Sequence, residues 1–106
     1  MEKKKTIDID EGVKILTDND FNFDNANKDY ITYRKHLLSS KKTHYRNEVA
    51  SVSVMYLHRC KCFVRVIHIH ESFKDHEYID LCEKALAKWE EIKVKLEAEG
   101  MVFGDD

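Results

Sequence analysis

Two rhythms of apolar residues predict most of this chain's fold: alternation through its middle and steps of three and four near its end. From Glu48 to His58 and from Cys62 to His70 the residues alternate and are rich in β-branched side chains, the pattern of paired strands. They predict a hairpin spanning Glu48 to Glu71 that turns at His58, Arg59, Cys60 and Lys61. Ala50, Val52, Val54 and Tyr56 share one face of the first strand, because successive side chains point to opposite sides. Matching apolar with apolar residues pairs Val54 with Val64 and implies a three-residue or bulged turn. A slip of one residue would exchange the faces.

Asp29 to Leu38 reads as an earlier strand, joined to the hairpin by a basic loop from Ser39 to His44. Together these make a three-stranded antiparallel meander. Before it, Asp10 is a fair N-cap for a short helix over Asp10 to Thr17 with Val13 and Leu16 inward, although Thr6 to Asp10 also alternates like a strand. Acids and amides alternate from Asp18 to Asn25 in the manner of a calcium loop. Phe23 stands where that loop needs glycine, however, and Asp29 where it needs glutamate. The stretch therefore reads as a polar loop with Phe21 and Phe23 tucked inward.

A three-stranded sheet with one apolar face needs a cover. The last helix supplies it, opening at Ser72 and stopping at Gly100, with Tyr78, Cys82, Ala85, Trp89, Ile92 and Leu96 in one stripe and Leu81 and Leu86 widening it. The fold class is α+β: a three-stranded antiparallel sheet packed against a long C-terminal helix, with a short N-terminal helix or strand. One domain spans residues 1–106, with 1–5 and 104–106 as flexible ends. Such a helix is ~40 Å long, against a radius of gyration of ~13 Å for a domain of this size. Either its end overhangs, so that Ile92, Leu96, Met101, Val102 and Phe103 call for a homodimer through the C-terminal helix or another partner, or it lies diagonally with the tail folded back.

The formal net charge of −2 hides a strong segregation. Residues 1–5 carry +2, residues 6–33 carry −5, residues 34–65 carry +7 and the remainder carries −6. A basic middle between acidic ends is the main functional signal. No apolar run approaches the ~20 residues of a membrane span. The start Met-Glu-Lys-Lys-Lys-Thr-Ile-Asp has no signal-peptide core. The expectation is a cytoplasmic protein with no membrane partner. Three cysteines, two of them only two positions apart, make a poor disulfide framework and suit a reducing compartment.

With three glycines in all there is no glycine-rich phosphate cradle and no nucleophile elbow, so nothing marks an enzyme. Two binding surfaces and one metal site are candidates. Glu83, Glu90, Glu91, Glu97 and Glu99 could meet a basic groove on a host or cellular protein, as small phage or mobile-element inhibitors do. Alternatively, Arg34, Lys35, Lys41, Lys42, Tyr45, Arg46 and Arg65 could hold phosphates and stack bases of a nucleic acid. His36, His44, His68 and His70 converge on one end of a meander and could bind zinc as a set of imidazoles. Otherwise no cofactor is expected. His58, Cys60 and Cys62 look like half a zinc knuckle without its second pair, and Cys82 could approach Cys62 across the core.

The order of short helix, three antiparallel strands and long helix resembles, in topology, the double-stranded RNA-binding domain. That resemblance implies phosphate contacts from lysines opening the last helix. Here the place holds Lys74, Asp75, His76 and Glu77, whose acids oppose a phosphate. The favoured reading is a non-catalytic interaction protein using the acidic helix. Nucleic-acid binding is the alternative, and which surface lies open decides between them.

Overall fold

The computed structural model describes residues 6–39, 48–69 and 75–104. Its elements run α1 (Ile9–Asp18), β1 (Asn22–Ala26), β2 (Tyr30–Ser39), β3 (Glu48–Leu57), β4 (Cys62–Ile69) and α2 (Asp75–Ala98). The sheet is an antiparallel meander in the order β1-β2-β3-β4. It therefore has four strands where the sequence pattern predicts three.

The additional strand, β1, lies in the stretch expected to be a polar loop. Every residue of Asn22-Phe23-Asp24-Asn25-Ala26 is exposed, so pairing comes from the backbone and leaves no apolar rhythm in the sequence. The hairpin to β2 closes through an Asx turn, in which the side-chain oxygen of Asn27 accepts from the amides of Asp29 (2.8 Å) and Tyr30 (3.0 Å). Phe21 is buried as expected, but Phe23 is 61% exposed and lies edge-on to Tyr33 with ring centroids 5.8 Å apart. Helix, turn and strand thus divide Asp18 to Asp29, so this stretch is not a calcium-loop conformation.

Both helices end in the same way. After α1, the Phe21 amide donates to the Leu16 carbonyl (3.0 Å) and the Asp20 amide to Thr17; after α2, Met101 donates to Leu96 (3.0 Å) and Gly100 to Glu97. This is the Schellman arrangement, which needs one left-handed residue and brings together the apolar pair flanking it. Gly100 (φ 113°) and Asp20 (φ 67°) supply the backbone, while Leu16 with Phe21 and Leu96 with Met101 are buried. Asn19 then joins the helix ends. Its Nδ2 donates to the Ile15 carbonyl at 2.8 Å and to the Glu99 carboxylate at 3.1 and 3.2 Å. At the other end of α1 the N-cap is Asp8, two residues before the expected Asp10, and its carboxylate accepts from the Asp10 amide.

The β3–β4 register pairs Met55 with Val64 and Val54 with Arg65, one residue away from the expected Val54–Val64 pairing. The four-residue turn sets it, closed by the Lys61 amide donating to the Leu57 carbonyl (2.8 Å) with Lys61 left-handed at φ 54°. Packing agrees with the turn. In this register Phe63, Ile67 and Ile69 join Tyr56, Val52 and Ala50 on the core face, which buries more apolar surface than Cys62, Val64 and Val66 would. The cost is that Arg65 enters the same row as Val54.

Both helices pack on that face. Gly12 of α1 sits against Phe63 so closely that a Cβ there would lie 2.3 Å from the ring. Ala85, Trp89 and Leu96 of α2 are buried in the same core, and Trp89 meets Phe103 edge-on at 5.5 Å. Among the described residues the Trp89 indole N–H has no acceptor, so apolar packing alone holds the ring. The carboxy-terminal segment returns along β4: Phe103 bridges Phe63, and Gly104 donates to the Phe63 carbonyl at 2.8 Å. Leu96, Met101 and Phe103 are thereby buried within the chain, the folded-back arrangement rather than the overhang.

Candidate functional site

Strand alternation divides the basic residues among different surfaces. Arg34 lies in the row Asn22-Arg34-Ser53-Val66, on the sheet face opposite the helices. Lys35, paired with Val52, and Arg65, paired with Val54, lie on the face the helices cover. The Lys35 Nζ donates to the Asn19 carbonyl at 2.8 Å, approaches the Asp20 carboxylate at 3.9 Å and stands 5.8 Å from the Phe21 ring centroid. Its ammonium closes the turn after α1. Arg59 and Lys61 sit at the β3–β4 turn, exposed. Lys41, Lys42, Tyr45 and Arg46 lie outside the described residues.

The histidines come together only in part. His36 pairs with Ser51, which pairs with His68, so two imidazoles flank a small residue in one row of the face opposite the helices. His44 and His70 lie outside the described residues. Among the described residues no three His, Cys, Asp or Glu side chains gather as a metal-binding group. The cysteines remain thiols. Cys62 alternates with Phe63 and so points away from the core, which removes the expected approach to Cys82 across it. A cleft of about 190 Å³ at the β3–β4 turn is lined by Ile7, Cys60, Lys61, Cys62, Val102 and Gly104.

The candidate acidic residues lie in water: Glu83, Glu90, Glu91 and Glu97 of α2 and Glu99 just after it are exposed. Glu99 is turned toward α1 by its bond to Asn19. Glu83, Glu90 and Glu97 recur every seventh residue. At ~100° per residue, three further side chains fall within the same arc of about 80°. These are Ile79, Leu86 and Val94, which are 63%, 48% and 64% exposed. Leu86 therefore belongs to this outer line and not to the buried stripe assigned to it by spacing. Ile79 and Val94 had no place in the expected stripe at all.

The result is a helix with three longitudinal sides. One is buried through Ala85, Trp89 and Leu96. A second presents Ile79, Leu86 and Val94 between Glu83, Glu90 and Glu97, with the half-buried Lys93 at its border. The third carries Lys84, Lys88 and Lys95, where Lys84 pairs with Asp80 at 3.0 Å. The apolar members of the second side are candidate contact residues that the sequence pattern did not single out. Their signal was a second spacing, of seven and then eight residues, beside that of the glutamates.

No helix among the described residues is long and apolar enough to cross a membrane. Comparison of the chain with protein-family models, with curated proteins and with solved structures finds no match, so a functional reading rests on these residues and their placement.

Proposed function

We propose that the chain is a non-catalytic protein-interaction module that engages its partner through the outer side of α2. It would act as small inhibitors of a host protein do when they offer carboxylates to a basic surface. The supporting observation is the line of exposed Ile79, Leu86 and Val94 set between Glu83, Glu90 and Glu97. Apolar side chains aligned along one helix side give a partner helix its anchors, and carboxylates beside them select a partner of opposite charge. The placement of the described cations supports protein over nucleic acid. A phosphate backbone is held by cations on one open surface, whereas Arg34 lies on one sheet face and Lys35 and Arg65 on the other.

The test is photo-crosslinking in cells that naturally make the protein, with benzoyl-phenylalanine placed at Ala87, beside the line, or at Val66, on the opposite sheet face. A discrete protein adduct from position 87 and none from 66 is expected. Adducts from 66 alone, together with salt-sensitive micromolar binding of the purified chain to mixed DNA and RNA, would overturn the reading in favour of nucleic acid.

A further inference from the structure

We infer that the occupant of the outer side of α2 is a basic amphipathic helix of a different protein, laid along the Ile79–Leu86–Val94 line with its own cations against Glu83, Glu90 and Glu97. The inference rests on the reading of this side as a binding surface and names the kind of partner that fits it.

The length and spacing of the line point to a helix. From Ile79 to Glu97 it runs ~27 Å at 1.5 Å per residue and stays nearly straight. An apolar line of that kind matches the i, i+3, i+4, i+7 anchors of another helix. Carboxylates interleave with apolar groups on nearly every turn, so no part of the line is purely apolar. Closing it against an uncharged surface would strip water from Glu83, Glu90 and Glu97 without compensation. A partner with Lys or Arg at matching positions supplies that compensation, and the long stems of those residues also cover Ile79, Leu86 and Val94.

The same charges select against a second copy of the chain. In a parallel pair, Glu83, Glu90 and Glu97 would each meet their own counterparts. In the antiparallel register that matches Leu86 with Val94, Glu90 meets Glu90 and Glu83 meets Glu97. Like charges so placed repel, and one repulsive contact recurs on every second turn. The nearest cation on this side, Lys93, stands at its border, while Lys84, Lys88 and Lys95 occupy the far side of the helix. Three apolar side chains are also few beside the ~20–30 residues that each partner contributes to a standing complex. The association is therefore of the weak, exchanging kind, in the micromolar range.

The experiment uses the full chain and three synthetic peptides of about 20 residues, long enough to match the line. The first places Leu along one helical side with Lys on its borders. The second scrambles the same composition so that the leucines share no side, and the third replaces Lys with Glu. Binding is followed by fluorescence anisotropy at low and at physiological salt, with circular dichroism checking that each variant is folded. The first peptide is expected to bind in the micromolar range, ~10-fold or more tighter than the scrambled one, with no binding of the acidic one. Leu86→Ser with Val94→Ser should weaken it ~10-fold, and Glu83→Gln with Glu90→Gln and Glu97→Gln should weaken it similarly and flatten its salt dependence. Equal binding of the scrambled peptide would reduce the effect to net charge and overturn the inference. So would no binding, or self-association of the chain abolished by Leu86→Ser, which would make the occupant a second copy. If the peptides fail while position 87 still crosslinks a protein, the surface stands and the helical partner falls; if both fail, the surface falls too.

Discussion

Two apolar lines run along α2, and only one of them is used inside the chain. Ala85, Trp89 and Leu96 are buried against the sheet, whereas Ile79, Leu86 and Val94 are exposed. What differs is their company. The inner line is continuous, with Ala85 small enough to bring the helix close and Trp89 wide enough to reach Phe103. The outer line is broken by Glu83, Glu90 and Glu97, and burying it within the chain would bury three carboxylates. The helix thus gives one side to the fold and leaves the other in water, the side proposed to meet a partner that brings cations. Burial here follows from what lies between the apolar residues as much as from the residues themselves.

The comparison breaks most easily on the inner line. Trp89→Ala should cost ~3–5 kcal/mol, the range for losing a large buried aromatic. Urea denaturation measures it, and an unchanged unfolding transition would show that the buried line is not the core. Next in size is Gly12, where a Cβ would strike the Phe63 ring. Gly12→Ala should cost about 1–3 kcal/mol through overpacking, even though alanine is the better helix former. A stabilised Gly12→Ala protein would mean that α1 does not approach β4 as closely as the structure places it.

Most of the fold was legible because burial imprints a period on the sequence. The apolar residues of β2, β3, β4 and α2 recur in alternation or at three-four spacing, which marks them, even though in β3 the small Ser51 and Ser53 of the other face are buried as well. β1 buries none of its side chains, so nothing in Asn22 to Ala26 distinguishes a strand from a loop; only Asn27, which closes the Asx turn, hinted at a hairpin. The register of β4 slipped by one because matching Val54 with Val64 ignored Phe63, whose ring fills the space in front of Gly12. The exposed Glu83, Glu90, Glu91, Glu97 and Glu99 were legible from charge alone. Their apolar companions were not, because a helix with two apolar lines lets spacing assign Leu86 to either. Tertiary packing against the sheet, absent from a one-dimensional pattern, made that choice.

A smaller effect is expected where charge rather than shape holds the inner face. Lys35 lies in the row of Val52, and its Nζ donates to the Asn19 carbonyl where α1 turns into β1. Lys35→Met keeps the apolar stem beside Phe21 and removes the donor. The partly buried setting lets water take some of its place, so the loss should be about 0.5–1.5 kcal/mol, that of one hydrogen bond. Thermal denaturation measures it. No loss at all would make Lys35 a solvated cation, available to a phosphate after all, and would return weight to the nucleic-acid reading.

The smallest effect on stability belongs to the outer line, and there the two sides of α2 separate most clearly. Leu86 is 48% exposed, so Leu86→Ser gives up little native burial and should change unfolding free energy by less than ~0.5 kcal/mol. Yet the same substitution removes the central apolar anchor between Glu83 and Glu90 and should weaken the basic helical peptide severalfold. A residue that folding does not need and binding does is the signature of a surface kept for a partner. If Leu86→Ser instead unfolds the protein about as readily as Trp89→Ala, the outer line is packed within the chain, and the division between the two sides of α2 disappears.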